Sequence, residues 1–135
     1  MVDPDIPAMS CNNLAFVRHW LVTNVSGLWL KWGCNNIERI PGVLTMQTYL
    51  PPGAANGIHR YQFFIFEEFN CPLFGKIPIS TADEDSQIIS FEGNDYEVHW
   101  SVTKFAINNQ LRVVAGFEWR IDTGIPDQCP NSTSP

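Results

Sequence analysis

The sequence predicts one domain at residues 1–121, mainly antiparallel β-sheet with a single packed helix, followed by a Pro- and Ser-rich tail at residues 122–135. The apolar segments are short and rich in aromatic residues, and Pro, Gly or Asn-Asn signals separate them, as is typical of strands joined by turns. Only residues 98–106 repeat their apolar side chains at three- and four-residue steps, which indicates a helix. A chain of 135 residues is long enough to bury one modest core.

The amino-terminal third is predicted to be extended. In Asp3-Pro4-Asp5-Ile6-Pro7 each proline disfavours the α conformation in the residue before it, so this segment should be a stiff loop with two carboxylates. Residues 14–25 and residues 43–49 are predicted as strands. Between them, residues 28–32 form a short apolar segment that ends at the turn signal of residues 33–36.

Residues 51–68 are the stretch around which the rest of the chain is arranged. Two prolines fix φ, and Gly53 and Gly57 permit conformations that other residues avoid, so a tight, rigid loop is predicted. Residues 58–68 are predicted as a strand, and residues 63–66 run without a polar break, which predicts that this strand is covered on both faces. Polar groups at the mouth of such a strand, beside a rigid loop, can form a pocket for a small ligand.

The carboxyl-terminal half is predicted to hold a long surface loop, the helix and a last strand. Residues 71–85 contain the acidic cluster Asp83-Glu84-Asp85, which we expect to be solvated. Asn94 and Glu97 have the spacing of an N-cap and its capping-box partner, so the helix is predicted to begin there. Residues 111–121 are predicted as the last strand.

The charge of the chain argues against two classes of partner. A formal net charge of −6 is unsuited to nucleic acid, which selects basic surfaces, and to electrostatic docking on anionic lipid. A neutral or zwitterionic headgroup is compatible with this charge. No apolar run approaches the length that spans a bilayer, so no transmembrane segment is predicted.

The cysteines and sequons favour an oxidising compartment and a secreted protein, with a cytoplasmic protein as the alternative. Four cysteines lack any Cys-x-x-Cys pair, which argues against a zinc or redox motif and favours disulfides (Cys11, Cys34, Cys71, Cys129). The sequons at Asn24 and Asn131 permit N-glycosylation of a secreted chain. Residues 1–10 contain no basic region and no apolar core, so we expect any signal peptide to lie upstream.

Three segments resemble the phosphatidylethanolamine-binding protein family, which includes the Raf kinase inhibitor proteins. Gly57-Ile58-His59-Arg60-Tyr61 and the aromatic strand after it resemble one family signature, and Asp3-Pro4-Asp5-Ile6-Pro7 resembles the other, Asp-Pro-Asp-x-Pro. Residues 18–25, Arg-His-Trp-Leu-Val-Thr-Asn-Val, resemble the family's histidine-containing strand. The three segments occur in the family's order, and their sequences are most similar to those of its secreted vertebrate branch.

The resemblance implies two antiparallel sheets, a ligand site at one end, and binding or regulation rather than catalysis. The family includes inhibitors of kinases and of serine proteases. Its members normally carry several strands before Asp-Pro-Asp-x-Pro, which are missing here, so we expect a fragment or a second polypeptide that supplies them. A second hypothesis follows, in which the chain is a structural or assembly subunit that keeps the fold without the ligand function.

The resemblance also implies a pocket for a small anionic group or a phospholipid headgroup. The positions that match the family's pocket are Asp3, Pro7, His19, Pro52, Gly57, His59 and Tyr61. A histidine can donate to an oxyanion while a carboxylate on its other nitrogen fixes the tautomer, and Asp3 is the expected carboxylate. Asp5 is expected to bond the loop backbone. Arg60 should point away from the pocket, because neighbouring strand residues face opposite sides.

Several of these residues also have an ordinary structural interpretation. A lone strand histidine such as His19 is more often structural than a ligand, and Asp3 could simply form a turn. Two histidines and a carboxylate could hold a metal, but neither a metal nor another cofactor is predicted. No Gly-x-Ser-x-Gly and no Walker-type loop occurs, so an enzyme is not predicted. Trp29 and Trp32 are predicted to fill the core rather than to contact a partner.

Overall fold

The computed structural model describes residues 1–5, 17–53, 57–68, 78–91 and 93–125, and it confirms a mainly β protein with two antiparallel sheets. Its elements are β1 (Val2–Asp3), β2 (Val17–Arg18), β3 (Leu21–Thr23), α1 (Gly27–Lys31), a 3-10 turn (Ile37–Arg39), β4 (Leu44–Gln47), β5 (Ile58–Glu68), β6 (Gln87–Phe91), β7 (Asn94–Val98), α2 (Val102–Asn108) and β8 (Leu111–Asp122). The larger sheet has six strands in the order β6-β7-β2-β1-β5-β8, and β3 pairs with β4 in the smaller one. No described helix is long and apolar enough to cross a membrane.

Strands β5 and β8 form the longest pairing of the larger sheet and have nearly the predicted bounds. The register runs from Ile58 opposite Asp122 to Glu68 opposite Leu111, with one irregularity after Ile65. Gly116 is required where the two strands approach most closely, because a Cβ there would lie 2.7 Å from the backbone carbonyl oxygen of Phe63.

The amino-terminal strand prediction is only partly confirmed. Within residues 17–25 the chain forms β2 and β3, with His19 and Trp20 between them, and residues 14–16 lie outside the described residues. The apolar segment at residues 28–32 falls mostly in the short helix α1. The strand expected at residues 43–49 is confirmed as β4.

The helix begins later than the sequence predicts. Ser101 is the N-cap of α2, and its side chain accepts a hydrogen bond from the backbone N–H of Lys104 at 3.1 Å. Asn94 and Glu97 instead lie in β7, where Glu97 is opposite Ile88 of β6. The cap prediction is wrong because strand pairing on both sides of β7 outweighs a two-residue capping pattern.

The core lies between α2 and one face of the larger sheet. Its buried centre is Val2, Trp100 and Phe105, and half-buried apolar residues pack around it (Leu21, Phe64, Phe66, Ile79, Val102, Leu111). Phe105 contacts Trp100 with ring centroids 5.0 Å apart and Phe66 at 5.9 Å. The helix stripe predicted from the sequence therefore provides the packing of the sheet, through fewer residues than expected.

The acidic cluster is not uniformly solvated. Glu84 and Asp85 are exposed as predicted, but the Asp83 side chain is only 2% exposed. Its carboxylate accepts hydrogen bonds from the backbone N–H of Ser101 at 2.9 Å and from Lys104 Nζ at 3.4 Å. Burial alone would raise the pKa of Asp83, but these hydrogen bonds lower it, so this carboxylate holds the start of α2 in place.

The prediction that Trp29 and Trp32 fill the core is wrong. The two residues are 39% and 69% exposed, and their rings contact each other edge to face at 5.7 Å. Helix α1 has only five residues and buries none of them, so no core forms beneath its tryptophans.

A large open cavity separates the second half of β5 from the segment that contains β3. Its volume is about 1230 Å³, and most of its lining is apolar. The expectation that residues 63–66 are covered on both faces is wrong, because Ile65 remains 42% exposed and the three phenylalanines are only half-buried. The missing cover lies on the side of β5 that faces this cavity.

Candidate functional site

Asp3 is the centre of a buried polar cluster. Strand β1 lies between β2 and β5, which places Asp3 opposite Val17 and beside His59. The Asp3 carboxylate accepts a hydrogen bond from His59 Nδ1 at 2.7 Å and from the backbone N–H of Asp5 at 2.8 Å, and it is also bonded by the Tyr61 hydroxyl. The prediction that Asp3 bonds a histidine is therefore confirmed.

Both imidazole rings lie against the ring of Tyr61. His59 and Tyr61 point to the same face because they are two residues apart on β5, and their rings are stacked at 6.4 Å. His19 follows β2 and approaches Tyr61 edge to face, with ring centroids 5.5 Å apart. The structure thus brings together four of the predicted residues, each at most 2% exposed (Asp3, His19, His59, Tyr61).

The tautomer of His19 follows from its surroundings. His19 Nδ1 lies 3.0 Å from the carbonyl oxygen of Leu50, which can only accept, so Nδ1 carries the hydrogen. His19 Nε2 is buried and has no hydrogen-bond partner within the described part of the chain. Burial lowers the pKa of His19, although the Leu50 carbonyl and the nearby Asp3 carboxylate oppose this shift. The neutral ring therefore presents a bare acceptor beside Tyr61.

The Tyr61 hydroxyl remains a donor. Burial raises the pKa of this phenol above its ordinary value, and the charge and hydrogen bond of Asp3 raise it further. The hydroxyl therefore stays protonated at any physiological pH and donates its hydrogen to the Asp3 carboxylate.

Asp5 and Arg60 form a separate pair that fastens the amino-terminal segment to β5. The Asp5 carboxylate accepts from the Arg60 backbone N–H at 2.9 Å, from Nε at 2.8 Å and from Nη2 at 2.9 Å. Burial opposes ionisation of Asp5, but these hydrogen bonds hold its pKa below the ordinary value. Asp5 therefore bonds backbone, although at the Arg60 N–H of β5 rather than in the loop, and Arg60 pairs with a carboxylate outside the buried cluster.

The remaining predicted residues contribute no observed polar contact to the cluster. Gly57 adopts φ of 77°, and its N–H donates to the carbonyl oxygen of Ile125 at 2.6 Å, so this group is not directed at a ligand. The Gly57 carbonyl oxygen accepts from the backbone N–H of Thr123 at 3.1 Å. Pro52 is half-buried. Pro7 lies outside the described residues, and the predicted boundary at residue 121 stays a prediction.

Two participants were not predicted from the sequence. Tyr96 of β7 contacts the His19 ring at 5.8 Å, and the Leu50 carbonyl fixes the His19 tautomer. The alternation of residues 94–98 could have indicated a strand that presents Tyr96 and Val98 on one face. The Leu50 contact joins residues 31 apart in sequence and has no local signal.

The neighbour of His19 faces the opposite side of the sheet. Arg18 is buried opposite Val2, forms an ion pair with Glu97, and lies over the Trp100 ring at 5.0 Å from its centroid. The histidine cluster and the large cavity are separate places, since the cavity is lined by none of Asp3, His19, His59 or Tyr61. Among the described residues no group of three His, Cys, Asp or Glu side chains could hold a metal ion.

These features define a class of protein, an antiparallel β domain with a buried Asp-His-Tyr cluster and a second histidine on the same tyrosine ring. A sequence model described as phosphatidylethanolamine-binding protein matches residues 1–118, so the chain belongs to the phosphatidylethanolamine-binding protein family. This result confirms the resemblance noted in the sequence.

Two curated proteins are similar to the chain. It is 31% identical over 88 residues to the "26 kDa secreted antigen" of Toxocara canis, and 29% identical over 92 residues to "Protein SELF-PRUNING" of Solanum lycopersicum. These alignments cover 62% and 68% of this chain but 30% and 47% of the relatives, so the chain spans less than half of either protein. No solved structure matches the chain significantly.

Proposed function

We propose that this protein is a non-enzymatic binding protein that holds a small anionic group, such as the phosphate of a phospholipid headgroup, between His19, His59 and Tyr61. Family membership supports the binding class. The observation that carries the proposal is His19 Nε2, a buried polar atom without a partner in the described residues, beside a tyrosine and a second imidazole. Buried polar atoms in folded proteins are normally satisfied, so an unsatisfied one indicates a missing partner.

The roles within the pocket differ. Asp3 is a positioning residue, because its carboxylate already accepts from three groups of the chain. His19 would contact the ligand through Nε2, which must take up a proton before it can donate to an oxyanion. Pro7, Pro52 and Gly57 would shape the pocket wall rather than donate to the ligand. A regulatory role toward a kinase or a protease would act through surfaces outside this pocket.

The test is calorimetry with O-phosphoethanolamine at pH 6.5. His19→Asn keeps a donor near the Leu50 carbonyl but removes Nε2, and we expect at least tenfold weaker binding. His99→Asn is the matched control, because His99 has φ of 57° and asparagine tolerates that conformation. Binding that is unchanged in His19→Asn, or absent from the wild-type protein, would refute the assignment.

We also propose an extracellular location, which the name of the Toxocara canis relative supports. Of the two sequons, Asn131 is the better acceptor, because Asn24 Nδ2 already donates to the Gly42 carbonyl oxygen in a left-handed backbone conformation. Secretory expression should therefore give a glycosidase-sensitive mass that Asn131→Gln removes and Asn24→Gln retains. Cys34 is a half-buried thiol without a disulfide partner among the described residues, and the other three cysteines lie outside them, so disulfides stay a prediction.

A structural or assembly subunit is the second candidate. The near-complete burial of the four polar side chains favours it, since a ligand would have to displace covering atoms to reach them. Light scattering and calorimetry on the same sample separate the two functions. A stoichiometric complex with silent calorimetry supports the subunit, whereas a monomer that binds O-phosphoethanolamine supports the binding protein.

A further inference from the structure

A small pocket lies where three segments of the chain meet, apart from the histidine cluster. Trp20 lies between β2 and β3, Tyr49 follows β4, and Glu38 is part of the 3-10 turn. The backbone N–H of Leu50 donates to the carbonyl oxygen of His19 at 2.8 Å, which holds the second segment beside the first. The pocket has a volume of about 240 Å³, and none of the residues that line it belongs to the histidine cluster (Trp20, Asn35, Asn36, Ile37, Glu38, Tyr49).

Two aromatic rings form walls of this pocket. Trp20 and Tyr49 meet edge to face, with ring centroids 6.2 Å apart and an angle of 84° between the ring planes. Rings at right angles enclose a corner, which fits a compact, rounded group better than a flat one. The face of an aromatic ring is electrostatically negative, so this corner attracts a cation that needs few hydrogen bonds.

Glu38 adds a negative charge to the same pocket. Its Oε1 accepts a hydrogen bond from Trp20 Nε1 at 2.8 Å, which fixes the carboxylate beside the indole ring. No basic side chain in the described ranges forms an ion pair with Glu38. The charge of this carboxylate is therefore available to a ligand, and the net charge of −6 of the whole chain also favours a cation over an anion.

The polar edge of the pocket narrows the class of cation. Asn36 occupies the N-cap position of the 3-10 turn, but its side chain makes no capping hydrogen bond, so its amide can donate to an oxygen atom of a ligand. Choline carries an oxygen close to its ammonium group, whereas the alkyl stem of a trimethylated lysine carries none. The volume of 240 Å³ lies below the range of roughly 300–1,000 Å³ that is typical of sites for drug-sized molecules, which favours a small ligand.

We propose that this pocket binds choline, with the trimethylammonium group against the rings of Trp20 and Tyr49 and its charge beside the Glu38 carboxylate. Tyr49 is 46% exposed and Trp20 is half-buried, so the ligand enters from solvent without displacing covering atoms. The proposal does not rest on the histidine cluster, because choline has no oxyanion to place there.

The test is titration calorimetry with choline chloride at about physiological ionic strength, where non-specific attraction to the charged surface is largely screened. We expect saturable binding of one choline per chain. Dimethylbutanol, the neutral isostere in which carbon replaces the nitrogen, keeps the shape without the charge and should bind at least tenfold more weakly. Ammonium chloride keeps the charge without the methyl groups and should also bind at least tenfold more weakly.

Two substitutions test the walls. Glu38→Gln should weaken choline binding at least fivefold, because the amide can still accept from Trp20 Nε1 but carries no charge. Glu84→Gln is the matched control, since it removes one charge at an exposed position outside the pocket and should leave the affinity unchanged. Tyr49→Leu keeps apolar bulk but removes the ring, and it should weaken binding at least fivefold, whereas Tyr49→Phe should stay within twofold of the wild-type protein.

Four outcomes overturn the proposal. The first is a wild-type protein that does not bind choline. Equal binding of dimethylbutanol would show a corner that selects only apolar volume. Equal losses in Glu38→Gln and Glu84→Gln would show a response to net charge rather than to this carboxylate. Tighter binding of acetyl-trimethyllysine-amide than of choline would make a protein side chain the occupant. Choline and O-phosphoethanolamine are titrated separately, so failure of this pocket and failure of the histidine site are distinguishable.

Discussion

The two halves of β5 differ sharply in their environment although they belong to one continuous strand. Residues 58–62 lie between β8 and the β1 segment, and their polar residues His59 and Tyr61 are almost completely buried. Residues 63–68 pair only with β8 among the described residues, and their apolar side chains remain half-buried or exposed. Burial along this strand is the reverse of what side-chain polarity alone predicts.

The difference comes from β1, which supplies both a neighbouring strand and the Asp3 carboxylate. Asp3 compensates the cost of burying His59 and Tyr61 by accepting hydrogen bonds from both. Among the described residues the second half has no such neighbour, so its aromatic rings find only partial cover from α2 and β8. A strand's environment is thus set by what lies beside it, and four experiments can test this conclusion.

Asp3→Asn should have the largest effect. The amide would place an N–H group against donors from His59 or Tyr61, in a site with no access to water. Breaking such a buried pair typically costs about 3–5 kcal/mol in the free energy of unfolding. Urea unfolding measures this loss, and Asp85→Asn, at a 68% exposed carboxylate, should change it little. Equal losses in the two variants would contradict the central role of Asp3.

Gly116→Ala should come next, because Gly116 lies opposite Phe64, where β5 pairs only with β8 in the described part of the chain. The new Cβ would lie 2.7 Å from the Phe63 carbonyl oxygen, so backbone must move. Overpacking of this kind costs about 1–3 kcal/mol. Gly27→Ala is the matched control, since nothing lies within 4 Å of its added Cβ. If both variants unfold at the same urea concentration, the close approach is not constraining.

The elements of the sheet were largely predictable where local signals bound them. The predicted bounds of β5, residues 58–68, are those observed, because Gly57 ends the loop before the strand and the apolar run is unbroken. For β8, Asn108-Asn109 ends the helix, and the strand then begins at Leu111 as predicted. The predicted start of the helix was wrong because residues 94–98 also alternate in the manner of a strand, and they form β7.

The site was predictable only through the resemblance to the family. No periodicity links Asp3 with His59, which are 56 residues apart, and their contact depends on β1 lying next to β5. The exposure of Trp29 and the burial of Asp83 likewise depend on tertiary neighbours that a local pattern does not contain. The sequence therefore indicated where the strands lie, but not which strands pair or which side chains their neighbours bury.

Tyr61→Phe and Ile65→Thr compare the two halves directly, since both side chains lie on the same face of β5. Tyr61→Phe removes a buried hydroxyl from Asp3 and should cost about 1–2 kcal/mol in the free energy of unfolding. Ile65→Thr alters a 42% exposed side chain and should stay within about 0.5 kcal/mol. A larger loss at Ile65 would show that the second half is covered after all.

The difference in acid sensitivity between the wild-type protein and His19→Asn should be the smallest effect, and its sign follows from the pKa of His19. Burial holds the pKa of His19 below its ordinary value of 6.5, so the unfolded chain binds more protons, and the stability present above about pH 6.5 is lost as pH falls through the folded pKa. The wild-type protein should therefore lose stability between pH 7.5 and pH 5.5 more steeply than His19→Asn, by at most about 1.4 kcal/mol per pH unit.

Urea unfolding at three pH values measures these slopes. Asp5 and the groups near His19 are common to both chains, so their contributions largely cancel (the Met1 amino group, whose pKa burial lowers to about 5, Asp3, His59, Tyr61 and Tyr96). His99→Asn should keep the wild-type slope. Saturating O-phosphoethanolamine should flatten the wild-type slope, because an oxyanion that accepts from Nε2 stabilises protonated His19. A slope that the ligand leaves unchanged would mean that no proton is taken up there, and His19 would then be a structural histidine.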